Sequence, residues 1–128
     1  MQKTIDYWLE EAEEALKVAD HLFEKKDFSY SLFFGHLAVE KMIKAIYVKK
    51  KDEHAPHIHN LVRLAEQADI ALSTELKETL IMITAFNLES RYPDEKRSFR
   101  NKCTEPYTSI ELGKIREIIQ WLKSIMPS

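Results

Sequence analysis

The chain is expected to fold as an all-α protein, an up-and-down bundle of four to five helices. Three features carry that expectation. Glycine and proline are scarce, two and four in 128 residues, which leaves little material for the tight turns of a many-stranded sheet. Several segments repeat apolar residues at spacings of three and four, the period of a helix with one buried side. The first connection, around Lys25-Lys26-Asp27, is only a few residues long, as between antiparallel neighbours in a bundle.

The first helix is predicted from about Thr4 to Lys25. Trp8, Ala12, Ala15, Ala19 and Leu22 form its apolar stripe, and Glu10, Glu13, Glu14, Lys17 and Glu24 its wet face. Asp27 is placed to cap the second helix, about Phe28 to Lys51. Here Leu32, Gly35, Val39, Met42, Ile43 and Ile46 share a face, and Tyr30, Phe33, Phe34, Ala38, Ala45 and Tyr47 widen the apolar surface beyond one stripe. Such a helix is central to a bundle or also serves a subunit interface. Gly35 costs about 1 kcal/mol against alanine inside a helix, a cost that a close helix–helix approach would explain. Lys49-Lys50-Lys51 meets the negative end of the helix dipole.

Asp52 to Asn60 is polar, contains Pro56 and reads as a loop. A short helix follows from about Asn60 to Gln67. Ser73 or Thr74 starts the next, carrying Leu76, Leu80, Ile83 and Phe86 inward and stopping before Pro93. Ser90 to Pro106 is dominated by charge and reads as irregular. The last helix begins near Tyr107 or Ser109, with Ile115, Ile118, Ile119, Leu122 and Ile125 as its stripe. One domain, residues 1–128, is expected from the length.

A net charge of −2 argues against coating nucleic acid through bulk positive charge. Local basic clusters remain at Lys49-Lys50-Lys51 and from Arg97 to Lys102. A lone cysteine, Cys103, can build neither an internal disulfide nor a cysteine zinc site. The N-terminus has no apolar core of a signal peptide, and no stretch approaches the roughly 20 apolar residues of a membrane span. A cytoplasmic protein without membrane contact is expected.

Three constellations offer chemistry. His54, His57 and His59 lie within six residues, yet their spacing is that of a loop and lacks a companion carboxylate, so a metal site is the weaker reading. His59 is expected to cap or orient the helix that follows. Arg91, Tyr92 and Asp94 sit at a helix end, where an arginine fork can hold a phosphate bidentately and a tyrosine can stack on a base. Glu40, Lys41 and Lys44 lie on an otherwise apolar helix. Glu40 and Lys44 are spaced as an i,i+4 pair, and the functional reading puts these lysines beside Arg91 at one cleft. No glycine-rich phosphate loop or Ser-His-Asp signature is present, and no metal or cofactor is expected.

Taken in order along the chain, these motifs resemble the HEPN domain, the higher eukaryote and prokaryote nucleotide-binding family. Ala38-x-Glu40-Lys41-x-x-Lys44-Ala45 is similar to its second-helix signature. His59-Asn60-Leu61 is similar to its His-Asp-Leu entry to a short helix, and Arg91-Tyr92-Pro93-Asp94 to its Arg-Tyr-Pro-Asp helix end. The resemblance spans about residues 4 to 125. It implies a bundle similar to the helical domain of nucleotidyltransferases, a homodimer with its site between subunits, and a minimal nucleotidyltransferase as partner. It also implies, for some members, a metal-independent ribonuclease toxin of a toxin–antitoxin pair. Those nuclease members carry Arg, four to six residues, then His. After Arg91 these positions hold Lys96, Arg97 and Ser98. The expectation is therefore a nucleotide-, phosphate- or RNA-binding module using Arg91, Tyr92, Lys41, Lys44, Arg97 and Arg100, with Glu40, His59 and Asp94 as structural motif residues. The alternative is a ribonuclease with a non-standard site, pairing Arg91 with His36 or His59.

Overall fold

In the computed structural model, which describes residues 1–128, the chain is a bundle of six helices without strands. They are α1 (Gln2–Glu24), α2 (Phe28–Lys51), α3 (Leu61–Gln67), α4 (Thr74–Arg91), α5 (Ser98–Lys102) and α6 (Glu105–Ile125). The all-α bundle is as expected. The sixth helix, α5, falls inside the stretch read as irregular. Five residues are too few to show a period, and only Phe99 among them is buried.

α2 is the hub, packing against α1, α3, α4, α5 and α6. Most of its wide apolar surface is used inside the chain: Leu32, Ala38, Val39, Ile43, Ala45 and Ile46 are wholly buried, Phe33 and Phe34 are half-buried, and Tyr30 is left exposed. The feature that predicted either a central helix or an interface therefore mainly reflects centrality. Gly35 faces α6, where an added Cβ would lie 2.6 Å from Ile115 Cδ1. The missing side chain permits that approach.

Helix ends follow local chemistry, with two corrections. Ser73 Oγ accepts from the Leu76 amide at 3.1 Å, starting α4 as foreseen. Asp27 makes no side-chain cap, because its backbone (φ −90°, ψ 68°) lies outside the extended region that aims a cap oxygen at the first turn. α6 starts at Glu105, earlier than expected, because Thr104 Oγ1 accepts from the Tyr107 amide and Pro106 occupies the first turn. A proline there sacrifices only an amide that has no helical partner.

α4 runs antiparallel to α2. Ser90 Oγ, at the end of α4, donates to the Ser29 carbonyl at the start of α2 at 3.4 Å. At the other end the loop after α2 turns back, and Thr84 Oγ1 of α4 accepts from the Leu61 amide at 3.1 Å. This crossing brings residues far apart in sequence to one end of the bundle.

Candidate functional site

The sequence-predicted residues fall into two clusters. The first lies midway along α2. Glu40 is almost fully buried and accepts from Lys44 Nζ at 3.2 Å through Oε2. Its Oε1 lies 2.9 Å from His59 Nδ1 and 3.9 Å from His36 Nε2. Lys44 is buried too, with its ammonium 5.0 Å from the centroid of the Trp8 ring. Lys41 reaches across to α1 and pairs with Glu11 at 3.2 Å. The His59 carbonyl lies 3.3 Å from His36 Nε2, while His36 Nδ1 is buried without a partner. Burial is the main reason that the His36 imidazole sits below its ordinary pKa, partly offset by Glu40. This cluster fastens α1 and the loop before α3 onto α2.

His59 therefore orients that loop by holding Glu40, and it does not cap α3. The cap is Asn60, whose Oδ1 accepts from the Arg63 amide at 3.0 Å. No three His, Cys, Asp or Glu side chains converge in a ligating arrangement, at His54, His57 and His59 or elsewhere. Cys103 is buried, and burial pushes its thiol up to about 11, where the reactive thiolate is scarce at neutral pH.

The second cluster lies where α4 ends beside the start of α2. Ser29, Tyr30, Glu89, Ser90, Pro93, Asp94, Arg97, Phe99 and Arg100 surround a cleft of about 260 Å³. Its wall is built by α5. Phe99 stacks on Phe86 of the core at 5.8 Å between ring centroids. Asp94 Oδ1 accepts from the Ser98 amide at 2.8 Å and Oδ2 from Ser98 Oγ at 2.7 Å. Those bonds, the amide first, hold the Asp94 carboxyl below its usual pKa. Asn101 Nδ2 donates to the Lys96 carbonyl at 3.1 Å. Three hydrogen bonds thus tie the turn, and Arg97 enters α5 with φ 53°.

Arg97 and Arg100, one turn apart, are both brought to this cleft. Neither forms an ion pair within the chain, and Arg91 forms none. Arg116, by contrast, pairs with Asp20, Lys51 with Asp69 and Lys114 with Glu111. Arg91 and Tyr92 are exposed beside the cleft, between Ser90 and Pro93, which line it. Tyr92 is 73% exposed and takes no part in closing the core. Lys41 and Lys44 do not line it. They lie twelve and fifteen residues along α2 from Ser29, about 18 and 22 Å at the helical rise.

Sequence reasoning missed Ser29, Tyr30 and Lys26 as site residues. A smaller hollow of about 120 Å³ continues from the cleft and is bounded by Lys26, Asp27, Phe28, Ser29, Tyr30, Arg100 and Cys103. Tyr30 is 53% exposed. Its place on an apolar helix gave no sign that it would face an arginine from α5.

The family model for the HEPN domain matches residues 5–125. The chain belongs to the HEPN family. At that level it is a nucleotide- or RNA-related helical module. The fold is also that of a crystal structure of the protein TT1696 from Thermus thermophilus, with a TM-score of 0.77 and 17% sequence identity, covering 97% of this chain and 98% of that one. A search of curated proteins gives no match. No helix of this HEPN domain is long and apolar enough to cross a membrane.

Proposed function

We propose that this HEPN domain binds a nucleotide or the phosphate of an RNA in the cleft at the end of α4. The observation that carries the reading is the pair Arg97 and Arg100, unpaired and fixed on one wall by a tied turn. Guanidinium groups without an internal carboxylate are free to grip a phosphate bidentately. Tyr30 and Tyr92 offer exposed aromatic faces for a base, which stacking holds with little sequence preference. Glu89 and Asp94 line the same cleft, so the phosphate sits on the Arg97–Arg100 side. Arg91 lends charge at the rim. Lys41 and Lys44 contribute through the scaffold, being held by Glu11 and Glu40.

The module is read as a cytoplasmic homodimer and a partner of a minimal nucleotidyltransferase. Support for the dimer comes from the outer face of α4. Ile81, Ala85 and Leu88 follow the i, i+4, i+7 pattern and lead to Tyr92. Ile81 is 61% and Leu88 57% exposed, and Met82 lies beside them at 44%. An apolar stripe on the outside of a helix is the mark of an interaction surface. Pairing α4 with its copy would bring the Arg91–Tyr92 ends of both chains into the same interface region.

The reading is tested by titrating ATP, GTP and a single-stranded RNA oligonucleotide into the protein, with cleavage of the RNA followed in EDTA. Binding without cleavage is expected. If none binds at millimolar ligand, the reading fails. Cleavage in EDTA would favour the ribonuclease alternative, although neither His36 nor His59 lines the cleft.

A further inference from the structure

Apart from the phosphate cleft, and sharing no lining residue with it, the chain carries a second groove. α1 and α6 both pack on α2, and between them lies an opening of about 340 Å³. Met42 of α2 is its floor. Leu9, Ala12 and Leu16 of α1 form one wall, with Ile119 of α6 and Met126 at its C-terminal cap on the other. The two walls run antiparallel, since Asp20 of α1 pairs with Arg116 of α6 beyond one end of the groove. From Leu9 to Leu16 the apolar wall extends seven residues, about 10 Å or two helical turns.

The banks of this groove differ in charge. Glu13 and Lys123 flank the opening itself. On the α1 side Glu13 belongs to a ridge with Glu10 and Glu14, all exposed, next to Lys17. None of the three carboxylates is ion-paired in the chain. Glu10 and Glu14 are four residues apart, and Glu10 and Glu13 three. Like charges at those spacings cost a helix a few tenths of a kcal/mol each. Lys17, four residues after Glu13 and three after Glu14, offsets part of that repulsion, and a further cation laid beside Glu10 relieves the rest.

We infer that the α1–α6 groove docks a short amphipathic helix of a partner protein, one that places two apolar side chains over Met42 and lysines or arginines along the Glu10–Glu13–Glu14 ridge. Length and shape fit a helix laid in a groove, read by anchors about a turn apart. The charge of the ridge selects a basic segment. It also repels anionic membrane surfaces and nucleic acid, so this face and the arginine cleft serve different partners. The inference is independent of the phosphate reading and stands or falls by itself.

The probe is a labelled helical peptide of leucines and lysines with a two-turn apolar stripe, followed by fluorescence anisotropy. A second peptide replaces each lysine by glutamate. The lysine peptide is expected to bind saturably and the glutamate peptide not to bind. Two variants on the wild-type frame localise the contact: Leu9→Glu in the wall, and the exposed triple Glu10→Lys, Glu13→Lys, Glu14→Lys on the ridge. Circular dichroism first establishes that both keep their helix content, and single Glu13→Lys replaces any variant that does not. Each change is expected to weaken the lysine peptide at least tenfold. Absence of wild-type binding, or equal binding by wild type and folded variants, overturns the inference. Binding of decanoate or of phosphatidylserine vesicles in preference to the peptide overturns it in favour of a lipid. Self-association abolished by Leu9→Glu overturns it in favour of a second copy of the chain.

Discussion

His59 Nδ1 and Glu40 Oε1 lie 2.9 Å apart, and this contact fastens the loop before α3 to the centre of α2. Lys44 occupies the other oxygen of the same carboxylate. Glu40 thus holds two cationic or hydrogen-bonding groups from inside the bundle, with almost no exposure of its own. The family signature on α2 is, in this chain, a packing device for a polar cluster.

Glu40→Leu should be strongly destabilising. The substitution leaves Lys44 buried without its acceptor and frees the loop at His59. Breaking a buried pair from one side costs about 3–5 kcal/mol. Urea unfolding read by circular dichroism gives the value. A loss below about 1 kcal/mol, no more than a surface ion pair is worth, would mean that Lys44 escapes to solvent and that the cluster is not holding the loop.

Stability should depend on pH through His36. Burial holds its folded-state pKa below the ordinary 6.5, so the unfolded chain binds more protons between those two values. Stability then rises with pH in that window. His36's contribution is complete above about pH 6.5, the unfolded value, and is lost as pH falls from there toward the folded pKa. The groups facing it are Glu40, Lys44 and His59. Thermal unfolding across that window, from neutral pH into mild acid, should show a decline for wild type that is smaller in His36→Leu. Equal slopes would remove His36 as the cause.

Gly35→Ala measures the α2–α6 approach. Helix propensity gains about 1 kcal/mol, whereas overpacking a full core costs about 1–3 kcal/mol. With Ile115 wholly buried and its Cδ1 only 2.6 Å from the new methyl, packing should win by about 1 kcal/mol. Ile115→Val removes that Cδ1, so the double variant should be more stable than the two single losses add up to. Simple additivity would mean that the helices slide apart instead.

Ile81→Glu and Leu88→Glu test the outer face of α4. Both side chains are more than half exposed, so the fold should tolerate charge there. Light scattering after gel filtration is expected to show a dimer for wild type and a monomer for either variant. Dimers unaffected by both changes would put the self-interface elsewhere, and a wild-type monomer at high concentration would refute the homodimer.

Much of the fold was legible because its long helices are periodic. α1 and α2 begin and end within about two residues of their predicted limits, and Ser73 announced α4 by its cap. α5 was not legible, since its order comes from Asp94 and from one buried ring, Phe99, set on Phe86. Pro106 misled for a related reason: the same residue that ends helices belongs in the first turn of one. The site was half legible. Arg97 and Arg100 stand in an evidently basic stretch, but Tyr30 and Ser29 join them only through the antiparallel crossing of α2 and α4. Lys41 and Lys44 share the residue types of a phosphate site and are turned to other work by Glu11 and Glu40, partners that sequence spacing reveals only for Lys44.

The cleft itself is tested most directly by calorimetric titration of a 5′-phosphorylated RNA oligonucleotide into wild type, Arg97→Ala/Arg100→Ala and Lys41→Ala at one fixed salt concentration. A hydrogen bond to a charged group contributes about 1.5–3 kcal/mol, so losing both guanidiniums should weaken binding by about a hundredfold or more. Lys41→Ala, which removes a cation already held by Glu11, should leave the affinity within about twofold, a surface ion pair contributing little. The reverse pattern, with the arginine variant binding as wild type does and Lys41→Ala losing affinity, would place the ligand at the centre of α2 and contradict the account.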